Sequence, residues 1–67
     1  MGQFVKQLSY NTPYRTLNAI TIGDEIIDEY NSHGKVVKII KNKNNQVVEF
    51  IFKLDNKQII YILKDGN

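Results

Sequence analysis

Four carboxylates stand close together in the chain, Asp24, Glu25, Asp28 and Glu29. Grouped carboxylates are the usual means of holding a hard divalent cation or sharing a proton in acid–base work. On an extended strand, however, residues four apart lie about 13 Å from one another. That is too far for one shared ion, so the quartet reads as surface charge that keeps an edge strand soluble. His33 is the one histidine, and it directly precedes Gly34. It has neither a second metal ligand of its kind nor the partners of a triad. Ser9 and Ser32 are the two serines, and neither lies in a nucleophile elbow. No phosphate-cradling glycine loop or zinc-ligand spacing is present. Cysteine is absent, which removes disulfides, thiolate metal sites and cysteine nucleophiles together. The expectation is a chain that is not an enzyme, with no catalytic residue, no metal and no cofactor.

The basic residues are more suggestive. Nine basic and seven acidic residues give a net charge of +2. The charge is unevenly spread, about −2 over residues 1–34 and +4 over residues 35–67. Lys35, Lys38, Lys41, Lys43, Lys53 and Lys57 fall within the second half. Phosphate contact requires only donors and positive charge, and an exposed aromatic ring can stack on any base. Arg15, Lys38, Lys41 and Lys43 are therefore candidate backbone contacts, with Tyr10, Tyr14 and Tyr30 as candidate stacking partners, of which Tyr14 and Tyr30 are preferred. An abundance of Lys, Asn and Ile is also what AT-rich coding produces, so the placement of the lysines carries the argument, not their number.

The elements that must position these groups follow from composition and spacing. Sixty-seven residues make one domain. Eighteen β-branched residues stand against a single alanine, Ala19, which points to an all-β fold. An alternating segment at residues 3–10 predicts a first strand. Thr12 and Pro13 then open a helical or 3₁₀ turn over residues 13–18. Residues 20–30, 35–41, 46–54 and 57–64 read as a four-strand meander. Breaks at residues 31–34, 42–45 and 55–56 carry turn chemistry.

Turns of four, four and two residues pair Ile26 with Ile39, Ile39 with Val48, Phe52 with Ile59, Phe50 with Tyr61 and Val48 with Leu63. Lys38 then faces Glu49 on the other side. This register predicts a core of Ile26, Val37, Ile39, Val48, Phe50, Phe52, Ile59, Tyr61 and Leu63, with Asp28 in conflict on the same face. It also collects Ile27, Val36, Ile40, Val47, Ile51, Ile60 and Ile62 on the second face. Seven aliphatics there require a cover. Phe4, Leu8, Tyr10 and Leu17 of the N-terminal segment can supply it, as can barrel closure or another chain. The expected architecture is a small SH3-like barrel or a strongly curled antiparallel meander of about five strands.

The segments Ile20-Thr21-Ile22-Gly23-Asp24-Glu25-Ile26, Gly34-Lys35-Val36-Val37-Lys38-Ile39 and Val47-Val48-Glu49 resemble the KOW motif and the wider family of SH3-like small barrels. In that family a Gly-Asp opens the first barrel strand and a second glycine turns into a Gly-x-Val strand. The resemblance covers residues 20–50 and implies a module that binds RNA or contacts the transcription and translation machinery.

The functional expectation is a non-enzymatic binding module, associated with RNA or DNA through its lysine-rich β surface. One alternative is a small protein-interaction regulator or inhibitor, of the kind mobile elements encode, using its acidic strand or second face. Another is a homodimer or larger homo-oligomeric structural subunit. No apolar run approaches the ~18–20 residues of a membrane span and no signal peptide opens the chain, so the expected location is cytoplasmic, with no membrane partner.

Overall fold

The computed structural model describes residues 5–65. Along the chain it forms β1 (Val5–Gln7), α1 (Tyr14–Asn18), β2 (Glu25–Ile27), β3 (His33–Lys43), β4 (Val47–Leu54) and β5 (Ile59–Asp65). The five strands make one mixed sheet in sequential order. β1 runs parallel to β2, and every other pair is antiparallel. The fold is all-β, as the β-branched composition demands. The sheet stays open, with β1 and β5 as its two edges, so the curled meander describes the chain and the closed barrel does not.

The hairpins come where turn residues mark them, but their lengths differ from expectation. Between β2 and β3 the Asp28 N–H donates to the Ser32 carbonyl and the Asn31 N–H to the Asp28 carbonyl. This is a three-residue loop with Asn31 left-handed at φ 67°. The loop between β4 and β5 has the same design. There the Leu54 N–H donates to the Gln58 carbonyl, the Lys57 N–H donates to the Leu54 carbonyl, and Lys57 is left-handed at φ 71°. A type I turn closed by one left-handed residue is the common three-residue hairpin. Between β3 and β4 the Asn44 N–H donates to the Val47 carbonyl, a tighter and later turn than residues 42–45.

These lengths reset the register. Ile26 pairs with Gly34, Ile39 with Phe52 and Lys38 with Lys53, so the expected pairs of Ile26 with Ile39, Ile39 with Val48 and Lys38 with Glu49 do not form. Along β5, Phe52 pairs with Ile60 and Phe50 with Ile62. One extra loop residue moves β5 by one position, and side-chain direction has period two. Ile60 and Ile62 are therefore buried, while Ile59, Tyr61 and Leu63, expected in the core, are half exposed. A bulge between Val36 and Lys38 makes a similar exchange in β3. Val36 is buried there and Val37 points to solvent.

The core face carries Ile26, Val36, Val48, Phe50, Phe52, Leu54, Ile60 and Ile62, closed over by Leu8, Leu17 and Ile20. Burying each such side chain contributes about 1.5–3 kcal/mol. The N-terminal segment thus covers the face with Phe50 and Phe52, not the opposite one. Tyr10 is exposed, and Phe4 lies outside the described residues. The expected second strand over residues 20–30 shortens to β2 because residues 21–24 form a turn. The Asp24 N–H donates to the Thr21 carbonyl, and Gly23 sits at φ 96°. Thr12 does not cap α1. Its hydroxyl instead accepts from the Ser9 N–H at 2.8 Å, and Pro13 holds the N-cap position.

Candidate nucleic-acid interface

The site begins with how α1 docks. Pro13 fixes the chain at φ −59° ahead of the helix, and its carbonyl accepts from the Thr16 and Leu17 N–H groups. Leu17 is buried and anchors the helix on the core. Residues three and four apart share a helix face, so Tyr14 turns the same way as Leu17 and Asn18. The Tyr14 ring meets Phe50 edge-on, with centroids 5.5 Å apart and planes at 75°.

β3 supplies the charges. Beyond Ile39 its core-facing positions are Lys41, opposite Phe50, and Lys43, opposite Val48. On the far side of β4, Ile62 and Lys64 complete the same two rows. The core face therefore ends in cations, with Lys43, Val48 and Lys64 abreast at its margin. Lys41 Nζ sits 4.9 Å from the Tyr14 ring centroid and 5.7 Å from that of Phe50, and donates to Asn18 Oδ1 at 2.8 Å. Lys64 Nζ donates to the Tyr10 carbonyl at 2.7 Å. Arg15 is exposed on α1 beside Tyr14. An open hollow of about 440 Å³, lined by Tyr10, Asn11, Val47, Leu63, Lys64 and Asp65, adjoins this margin.

Tyr14, Lys41 and Lys43, three of the candidates named from sequence, thus belong to one end of the core face, whereas Arg15, the next residue along α1, is exposed and does not share Tyr14's helix face. Lys38 does not join them. It lies on the outer face of the sheet, beside Lys53. Tyr30 stands 80% exposed on the β2–β3 loop, at the other end of a strand up to about 33 Å long. Lys64 was missed as a site residue from sequence, because a one-residue change in loop length decides the face it occupies, whereas Tyr10 stands beside it as one of the stacking candidates. Of the second-face aliphatics, Val36, Ile60 and Ile62 belong to the chain's own core. Ile27, Ile40, Val47 and Ile51 remain half buried on the side away from it.

Three members of the acidic quartet, Asp24, Glu25 and Asp28, serve the fold, and Glu29 is exposed. Asp24 Oδ2 accepts from the Thr21 N–H at 2.9 Å and from Lys6 Nζ at 3.0 Å. The Thr21 N–H, and secondly the Lys6 ammonium, hold its carboxyl below the usual range. Glu25 Oε2 lies 2.7 Å from His33 Nε2, tying β2 to β3. Asp28 Oδ1 accepts from the Tyr30 and Ser32 N–H groups, which resolves its expected conflict with the core. Among the described residues no group of three or more His, Cys, Asp or Glu is placed to hold a metal ion, and no helix is long and apolar enough to cross a membrane.

No family model, curated protein or solved structure matches the chain.

Proposed function

We propose that this chain is a non-enzymatic binding module that holds the sugar–phosphate backbone of a single-stranded nucleic acid along its basic margin. Arg15, Lys41, Lys43 and Lys64 supply donors to phosphate oxygens, and Tyr14 and Tyr10 offer ring surface to bases. The observation that carries this reading is the docking of α1, which sets the Tyr14 ring against Lys41 of β3, one row from Lys43. No acidic side chain lies in the rows that form the margin, Lys41–Phe50–Ile62 and Lys43–Val48–Lys64. The resemblance of residues 20–50 to KOW-type and SH3-like modules belongs to the same proposal, as does a cytoplasmic location, where RNA is at hand.

Fluorescence anisotropy with labelled single-stranded RNA tests it. Three or four neutralised phosphates give a slope of log affinity against log salt of about −2 to −3. Replacing Lys41 and Lys43 together with Gln weakens binding about tenfold or more. The same change at Lys38 and Lys53, on the opposite face, leaves it within about twofold. Absence of binding at low salt with micromolar protein, or equal loss from both faces, overturns the reading.

A further inference from the structure

β5 is a free edge whose protecting charges, Lys64 and Asp65, lie only at its C-terminal end. The bond from the Leu54 N–H to the Gln58 carbonyl marks that residue pair as a hydrogen-bonded one. Alternation along the ladder then turns the backbone groups of Ile60, Ile62 and Lys64 toward β4. Those of Ile59, Tyr61, Leu63 and Asp65 turn outward, and among the described residues no strand receives them. The β4–β5 register runs without a bulge, and the strand has no proline. Its one lysine, Lys64, is drawn to the Tyr10 carbonyl. Natural sheets rarely leave an edge of this kind bare.

The same outward residues show their side chains on the outer face, where Ile59, Tyr61 and Leu63 are 51%, 51% and 49% exposed. Behind them Ile40, Ile51 and Tyr61 form one apolar row. Charge is polarised along this face. Lys38 and Lys53 share the row of Ile59, whereas Glu49 shares the row of Leu63, and Asp65 ends the strand beside Val47.

We infer that β5 pairs antiparallel with β5 of a second copy of this chain, about a two-fold axis at Ile62. In that register Tyr61 stands opposite Leu63 of the second copy, and Ile59 opposite Asp65 of the second copy. All four outward residues of each edge are then hydrogen-bonded, and nearest the axis Tyr61 and Leu63 of one copy meet Leu63 and Tyr61 of the other. The basic row of Lys38 and Lys53 abuts the acidic end of the other copy, twice by symmetry. A parallel arrangement would set like charges side by side. The dimer is a continuous ten-stranded sheet that retains both basic margins, so it stands or falls independently of nucleic-acid binding.

Sedimentation equilibrium on nuclease-treated protein tests this, together with amide exchange. The expected result is a concentration-dependent dimer in which the Tyr61 and Leu63 amides gain protection as the dimer forms. Ile59→Asp places a carboxylate opposite Asp65 of the second copy and weakens the dimer about tenfold or more. The double variant Ile59→Asp with Asp65→Lys restores it. Both positions are exposed, and circular dichroism confirms the fold of each variant. A monomer at all concentrations overturns the inference. So does a dimer that ignores Ile59→Asp, or one whose Tyr61 and Leu63 amides exchange freely.

Discussion

Lys41 Nζ lies 4.9 Å from the centre of the Tyr14 ring. The same ammonium reaches Asn18 Oδ1 at 2.8 Å, so one lysine of β3 is gripped by two side chains a helical turn apart on α1. The contact fastens a five-residue helix that is far too short to persist alone. It also holds a cation and an aromatic ring at the margin of the core face.

Removing the ring therefore affects both stability and binding. Tyr14→Ala loses the edge contact with Phe50 and the cation–π contact, at a cost of about 1–3 kcal/mol in urea unfolding. Tyr14→Phe keeps both contacts and stays within about 0.5 kcal/mol. If the nucleic-acid reading holds, Tyr14→Ala also lowers RNA affinity under conditions where the protein remains folded.

The two glycines singled out from sequence act for different reasons, and alanine separates them. At Gly34 a Cβ would stand 2.9 Å from Asp55 Oδ1 and 3.1 Å from Leu54 Cβ. The Asp55 carboxylate must swing aside, losing its bond from the Lys35 N–H at 3.2 Å, and Leu54 Cβ must give by a few tenths of an ångström, so Gly34→Ala costs about 1–3 kcal/mol. At Gly23 the space is open but φ is 96°, so Gly23→Ala meets backbone strain alone, about 1 kcal/mol. Chemical denaturation should rank Gly34→Ala as the more harmful. Equal effects would show that the Asp55 loop yields freely.

Asp24 sets an acid limit on the fold. Its folded carboxyl titrates below the ordinary 3.8, held down by the Thr21 N–H and by Lys6. A lowered folded pKa contributes stability that is complete above the unfolded value and is lost as pH falls through the folded one. Stability of the native chain should therefore drop below about pH 4 more steeply than that of Asp24→Asn, which is weaker at neutral pH and flatter in acid. Parallel curves would show that the carboxylate contributes nothing.

On the outer face the Tyr61 hydroxyl donates to Glu49 Oε2 at 2.7 Å. That bond raises the phenol above its usual 10.0. A raised folded pKa contributes stability below the unfolded value that is lost as pH rises through the folded one. Alkaline titration followed by the Tyr61 ring resonances should show this phenol ionising above 10.0, and Glu49→Gln should bring it back toward that value.

Two hairpins share a left-handed residue at the same loop position, Asn31 and Lys57. Asparagine tolerates that conformation and lysine does not. Lys57→Gly should therefore stabilise the fold by up to about 1 kcal/mol, and Asn31→Gly by less. A thermal melt that falls for Lys57→Gly would mean that the glycine's added freedom in the unfolded chain outweighs the relieved strain.

Much of the architecture was legible without coordinates. β-branched residues bounded by Asn, Asp and Gly place the strands and their order. Val48, Phe50 and Phe52 alternate with Glu49, Ile51 and Lys53, and only one of those faces is apolar enough to form a core. The run from Ile59 to Leu63 is different. It is apolar on both faces, so alternation cannot choose between Ile60 with Ile62 and Ile59 with Tyr61 and Leu63. One loop residue decides, and Lys57 accepts an unfavourable φ because Asn56 Oδ1 and the Leu54 carbonyl receive the N–H groups around it.

The candidate site divides in the same way. Residue type alone identified Tyr14, Arg15, Lys41 and Lys43. Bringing Tyr14 against Lys41 needed α1 to dock through Leu17, and the face of Lys64 needed the β4–β5 loop length. Lys38 was separated from them by strand parity. Sequence determined the class, the places of the turns and the order of the four meander strands, because those depend on residues near one another in the chain. Which faces meet, and which cations share a margin, was decided only when non-local packing chose one register among several that the pattern of residues permits equally.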